Sequence, residues 1–193
     1  IVGGGVAGLA TANAFAIHGI KSIVIEKTKK VGEVDRGDVL HKSTIDIFNY
    51  WNVPKLTHQY NAIEITKFCI LNTIGQKLFQ FDLANELGTD VSFTVLRHPN
   101  IERALEETAL KTNLVSIMRG VACLDLTTDG HRITGVLTSS GPIPSNLTVI
   151  ANGSQSKLRD RYFQGRSYHK YPVSFYNARF RLLEEYSDTG YYV

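Results

Sequence analysis

The chain has 193 residues, 43% of them hydrophobic, and a formal net charge of +3 at neutral pH. That length holds one large domain, or one domain and part of another, with enough apolar material for a substantial core. So small a charge gives no footing for a nucleic-acid surface. Cys69 and Cys123 lie far apart with no C-x-x-C spacing, which predicts reduced thiols and a cytoplasmic setting rather than a disulfide framework. The N-terminal apolar run has no basic leader and is broken by glycines, so neither a signal peptide, a membrane span nor membrane association is expected. The chain opens inside a strand without an initiator Met, which suggests that a few natural residues precede Ile1.

Residues 1 to 27 organise the rest. Ile1 and Val2 read as the end of a buried strand, Gly3, Gly5 and Gly8 form G-x-G-x-x-G, and Ala7 to His18 carry helical spacing. In such a turn the first glycine allows the bend, the second lets backbone approach a pyrophosphate, and the third lets helix pack on strand. The phosphates then meet unpaired N–H groups at the helix N-terminus, around Val6 and Ala7, where the helix dipole also favours negative charge. Gly19 ends the helix, and Ile20 to Ile25 form a second strand that delivers Glu26 and Lys27 to its C-terminal end. A carboxylate there accepts hydrogen bonds from an adenosine ribose and repels a 2′-phosphate, so FAD or NAD suits the site better than NADP. A bare glycine turn without ligand is the alternative. Strand, turn, helix, strand and acidic residue within one β-α-β length argue against it. Ile-Val-Gly-Gly also matches the mature N-terminus of chymotrypsin-like proteases, but the chain has neither a Gly-Asp-Ser-Gly nucleophile segment nor several disulfides.

Thr28 to Asp38 reads as a polar loop beside the ligand, with Arg36 able to bridge a phosphate and Gly37 allowing close passage of the backbone. The alternative for Arg36 is a solvated loop arginine. A helix is expected from about His41 to Tyr50, ended ahead of Pro54. Ala62 to Leu71 and Lys77 to Leu83 carry strand composition around the turn 72 to 75 and read as a hairpin, with Ser92 to Leu96 returning the chain. These strands do not fit a β-α-β repeat and suggest an antiparallel sheet of a second, inserted domain. Pro99 opens a helix running to about Lys111. Arg97 and His98 precede it, either in contact with a flavin or its phosphates, or as rim residues.

Leu114 to Met118 reads as a further parallel strand. A β-meander follows, with strands near Cys123 to Leu126 and Ile133 to Thr138 and a turn at Asp129 and Gly130. Leu147 to Ala151 is expected as a second buried parallel strand that turns through Asn152 and Gly153 into Lys157, Leu158 and Arg159, with Ser154 or Ser156 available as a cap. The six histidines show no ligand spacing, so no metal site is expected. The basic stretch Arg159, Arg161, Arg166 and Lys170 reads as mostly solvated rather than as a nucleic-acid surface. Asn146-Leu-Thr and Asn152-Gly-Ser match glycosylation sequons but border the cofactor strand and are taken as accidental.

Together, Gly3, Gly5, Gly8 and Glu26, then Arg36-Gly37, then the run 147 to 159 resemble the FAD-dependent monooxygenases of the para-hydroxybenzoate hydroxylase type; the last run is also similar to squalene epoxidase, a relative. The resemblance implies an α/β fold: a Rossmann-like FAD-binding domain with a parallel sheet and β-meander, at 1–60 and 97–165. Part of an inserted antiparallel-sheet substrate domain would occupy 61–96 and 166–193, with strands around Val173 to Leu182. It further implies FAD and NAD(P)H as cofactors and a small-molecule substrate and O2 as partners, with no protein nucleophile needed; catalytic residues and oligomeric state are not given by it. Gly3, Gly5, Val6, Ala7, Gly8, Glu26, Lys27, Arg36, Gly37, Arg97, Asn152, Gly153 and Arg159 would contact the cofactors. The family has Asp where this chain has Asn152; the amide keeps hydrogen bonding and loses charge, which predicts slow or altered reduction by NAD(P)H. The resemblance covers roughly the first half of a family member. A reductase or halogenase on the same scaffold, or a non-catalytic FAD-binding remnant, are the other classes compatible with these motifs.

Overall fold

The computed structural model describes residues 1–32, 37–87, 92–163, 169, 171–173 and 188–192. In chain order the elements are α1 (Val6–Ile17), β1 (Ser22–Glu26), β2 (Gly37–His41), α2 (Lys42–Tyr50), α3 (Leu56–Gln59), β3 (Ile63–Ile65), β4 (Lys67–Leu71) and β5 (Lys77–Asp82). They continue with α4 (Leu83–Leu87), β6 (Phe93–Arg97), α5 (His98–Lys111), β7 (Val115–Arg119), β8 (Cys123–Thr128), β9 (Ile133–Thr138), β10 (Gly141–Pro144), α6 (Lys157–Tyr162) and β11 (Thr189–Tyr192). The chain divides into two compact units, 1–33 with 105–177 and 34–104 with 178–193. Segments 34–60 and 97–104, grouped with the first domain in the sequence reading, fall in the second unit.

In the first unit the apolar run of β1 pairs in parallel with β7, from Ser22 opposite Val115 to Glu26 opposite Arg119. Val2 bridges in parallel to both Ile25 and Ile150. Its N–H donates to the Val149 carbonyl at 2.8 Å and its carbonyl accepts from Ala151 at 2.7 Å. The chain start is thus an inner strand, as its uninterrupted apolar character predicts. Adjacent strand residues face opposite ways, and the core divides accordingly. On one face Val24 packs with Ala12 and Ala16 of α1, Ala109 of α5 and Val115. The small alanines let the helices lie close to the sheet. On the other face Val2 and Ile25 pack with Val136 of β9 and Leu158 of α6, flanked by Val121, Leu126, Ile143 and Ile150. Each such fully buried aliphatic side chain contributes on the order of 1.5–3 kcal/mol. The meander is antiparallel in the order β10, β9, β8. Asn13, 1% exposed, ties α1 to α5 by donating to the carbonyls of Leu9 and Leu105, both at 2.9 Å.

The second unit holds two three-stranded sheets. β2 and β3 flank β6 in antiparallel register. β4 pairs antiparallel with β5 and parallel with β11. Asn72 builds the β4–β5 turn, its side-chain oxygen accepting from the N–H groups of Ile74 and Gln76. Phe68 of β4 stacks near both Phe81 of β5 and Phe93 of β6, with ring centres 5.6 and 5.5 Å apart. Lys67 and Asp188 pair at 2.7 Å where β11 joins β4.

Three expectations need correction, and one strand was not expected. Gly37 and Asp38 belong to strand β2 rather than to a loop, because their backbone pairs with Arg97 and Leu96. The region 62 to 96 forms parts of two sheets rather than one antiparallel sheet, because β3 joins β6 and β4 takes β11 as a parallel neighbour. Leu147 is 67% exposed and Thr148 to Ala151 are only half-buried, so the segment expected as a buried strand is not fully buried anywhere; it joins the parallel sheet through Ile150, which bridges Val2. β10 went unforeseen; its two prolines sit on a sheet edge, the place in a ladder that tolerates a missing N–H. Among the described residues the hairpin strands make no pairing with the parallel sheet. The strands expected between 174 and 182 lie outside the described residues.

Candidate functional site

The site of the first unit lies at the C-terminal ends of its parallel strands, where open α/β sheets bind ligands. Gly3 follows the Val2 strand at a φ of +108°, a region that strains any residue with a Cβ. A methyl group there would overlap the Ala151 carbonyl and stand 2.8 Å from the Asn152 Cα. The glycine turn and the Asn152 turn therefore touch through backbone. A Cβ on Gly8 would overlap the Gly3 carbonyl, so the third glycine of the motif sets how closely α1 abuts the turn.

Helix α1 begins after Gly5, which is extended and gives no side-chain cap, and its first turn holds no acidic residue. The leading N–H groups of a helix have no acceptor inside it. Val6 is half-buried and Ala7 exposed at this end. Twelve residues of aligned peptide dipoles add a partial positive charge there. This end suits an anion such as a diphosphate.

Glu26 closes the other side. One carboxylate oxygen, Oε2, accepts from the Gly4 N–H at 2.7 Å. The other, Oε1, accepts from the Thr28 N–H at 2.8 Å and the Thr28 hydroxyl at 3.0 Å. Burial pushes the Glu26 carboxyl up, but the Thr28 and Gly4 N–H groups, the Thr28 hydroxyl and the charge of Arg119 together hold it below the ordinary glutamate value. It is therefore ionised at neutral pH. Arg119, opposite Glu26 in the sheet, is engaged by a bidentate ion pair with Glu106, both side chains being mostly buried. Gly4 itself has no room for a side chain, since a Cβ would lie 2.8 Å from the Glu26 Cβ. The residues fit an adenine dinucleotide: uncapped amides for the diphosphate and an ionised carboxylate with a lone-pair direction open on Oε2 for a ribose hydroxyl.

Beside Gly3, Asn152 is exposed and Gly153 takes a φ of +87°. Arg159 folds back over this turn, donating to the Gly153 carbonyl at 3.2 Å and the Ser154 carbonyl at 2.6 Å. Ser156, 2% exposed, is the cap of α6; its hydroxyl accepts from the Arg159 N–H at 3.0 Å. Asp125 of β8 anchors the far end of α6 through Arg161 and through the Tyr162 hydroxyl at 2.7 Å. A cleft of about 300 Å³ lies here between Ile150, Asn152, Gly153, Ser156, Arg159 and Phe163.

Of the residues read from the sequence, Gly3, Gly5, Val6, Ala7, Gly8, Glu26, Asn152, Gly153 and Arg159 come together in the first unit. Lys27 is exposed beside them. Gly37 and Arg97 lie in the second unit, opposite each other at the ends of β2 and β6. Arg36 lies outside the described residues. Gly4 and Thr28 were missed. The middle glycine of the Gly-Gly-Gly run and a hydroxyl two residues after the acidic residue were the available signals. Both described cysteines are free thiols. Among the described residues no cluster of His, Cys, Asp or Glu could hold a metal ion, and no helix is long and apolar enough to cross a membrane.

The 3-hydroxybenzoate 6-hydroxylase 1 of Aquipseudomonas alcaligenes is 24% identical over 164 residues, covering 83% of this chain and 41% of its own length. The FAD-dependent monooxygenase ntnJ of a Nectria species is 23% identical, covering 83% of this chain and 37% of its own. The chain thus spans about two fifths of the length of the curated relatives it matches. Among solved structures, pqsL of Pseudomonas aeruginosa, described as a probable FAD-dependent monooxygenase, superposes with a TM-score of 0.75 at 17% identity over 89% of this chain and 46% of that one. PieE, a flavin-dependent monooxygenase solved with FAD and substrate, gives 0.69 at 17% identity over 83% and 31%. These likenesses establish the α/β fold with its parallel sheet and meander. The family model described as FAD binding domain matches residues 1–185, and the chain belongs to that family.

Proposed function

We propose that this chain supplies the nucleotide-binding part of an FAD-dependent monooxygenase, which uses NAD(P)H and O2 to hydroxylate or epoxidise a small aromatic or apolar substrate. The observation that carries the reading is Glu26, ionised and aimed by Gly4 and Thr28 beside the uncapped start of α1. A diphosphate bound at Val6 to Gly8 would put its adenosine toward that carboxylate. Glu26 would hold the ribose, and the α1 amides with Arg36 would hold the diphosphate. Bound FAD would supply the redox chemistry, taking electrons from NAD(P)H and passing one oxygen atom of O2 to the substrate.

The protein's own work is positional. Gly3 and Gly8 let backbone and helix close on the diphosphate, while Asn152, set against Gly3, would present an amide where the nicotinamide approaches. Gly37 and Arg97 belong in this reading to the flavin-contacting set, and the sheets of the second unit to part of a substrate domain. Two unpaired cysteines accord with a cytoplasmic setting. The test is the visible spectrum of the purified intact protein: flavin bands that bleach with NADH or NADPH support the reading. A protein that binds FAD but is never bleached by either nucleotide would remove the monooxygenase assignment.

A further inference from the structure

Three of the four lone-pair directions of the ribose-facing carboxylate are taken before any ligand arrives. A carboxylate oxygen offers two lone-pair directions. Both on Oε1 of Glu26 are taken, by the Thr28 N–H at 2.8 Å and the Thr28 hydroxyl at 3.0 Å. The hydroxyl has a single proton and one competing acceptor, the Lys30 carbonyl at 3.3 Å. The nearer, charged acceptor takes it. On Oε2 the Gly4 N–H at 2.7 Å occupies one direction and leaves one open. Close packing holds the Gly4 N–H on Oε2, since even a Cβ on Gly4 would lie 2.8 Å from the Glu26 Cβ.

From this count we infer that Thr28 is a specificity-determining residue: its hydroxyl closes Oε1, so Glu26 grips one hydroxyl of the adenosine ribose and not both. The inference rests on the FAD reading above and concerns how that site discriminates among adenosine ligands. A two-pronged carboxylate loses affinity whichever ribose hydroxyl is removed. A one-pronged carboxylate loses it for one deletion alone.

The experiment measures displacement of FAD from the intact protein by ADP, 2′-deoxy-ADP and 3′-deoxy-ADP, read as recovery of free-flavin fluorescence. In the wild type one deoxy compound should compete about ten-fold or more weakly than ADP, as expected for loss of a hydrogen bond to a charged group, and the other within about two-fold. Thr28→Val keeps the shape and the backbone N–H but removes the hydroxyl proton. It should make the previously indifferent deletion cost affinity as well. Equal losses for both deoxy compounds in the wild type would overturn the inference while leaving the FAD site intact, and no variant is needed to see it. Indifference to both deletions would overturn it too. Failure of FAD itself to bind would instead remove the reading on which it rests.

Discussion

Replacing Glu26 by Gln perturbs the site without changing its shape, and the consequences follow from three hydrogen bonds. The carboxylate accepts from the N–H groups of Gly4 and Thr28 and from the Thr28 hydroxyl. An amide has one acceptor oxygen. It satisfies most by serving the two Thr28 donors, which turns its NH2 toward the Gly4 N–H. One backbone donor then loses its acceptor at a half-buried position, which costs about 1–2 kcal/mol of stability. The open acceptor for ribose is lost with it, and a hydrogen bond to a charged group contributes about 1.5–3 kcal/mol, so FAD should bind about ten-fold or more weakly. The pH dependence has a definite sign. The folded carboxyl titrates below its ordinary value, so its stabilisation is complete above about pH 4.3 and fades as the pH falls below that through the folded value. Urea titrations of the flavin-free protein at pH 7 and at several points below pH 4.5 or so, with FAD titrations at pH 7, measure all three effects. A Gln variant with wild-type stability and an unchanged acid slope would show that Glu26 does not pin the glycine turn.

Three further outcomes are expected. Gly3→Ala and Gly8→Ala each force a Cβ onto backbone and should destabilise by more than about 2 kcal/mol, visible as a lowered urea midpoint and as loss of FAD. Ser156→Ala removes the cap of α6 and should cost about 1 kcal/mol, visible as a lowered urea midpoint; an unchanged midpoint would mean that the hydroxyl does not hold the start of the helix. Asn152→Asp restores a charge beside Gly3 and should speed bleaching of the flavin by NAD(P)H in stopped-flow measurements with little change in stability. Equal rates for the two proteins would make the amide a neutral replacement.

The parts legible in the sequence are those fixed by local chemistry. Ala-rich helical spacing after the glycines gave α1, continuous Ile and Val gave β1, and the acidic residue at its end marked the carboxylate that stands beside the glycine turn. What escaped depends on distant partners. β2 was hidden because Val39 and Leu40 merge into the apolar pattern of α2, and only pairing with β6, more than fifty residues on, declares it a strand. β10 was hidden by Pro142 and Pro144, which read as turn residues until the edge position is known. Leu147 has a strand residue's character and yet stays 67% exposed. At the site, Thr28 carries no motif. Its importance arises from a hydroxyl and an N–H converging on the same carboxylate oxygen, a geometry that spacing alone does not encode.

The most direct test of the central claim is the identity of the flavin carried by the purified intact protein. Heat or acid releases a non-covalent flavin, and chromatography with mass detection separates FAD from FMN. A turn that binds diphosphate at α1 and adenosine ribose at Glu26 requires FAD, close to one per chain. Release of FMN, which lacks the adenosine, or of no flavin, would contradict it.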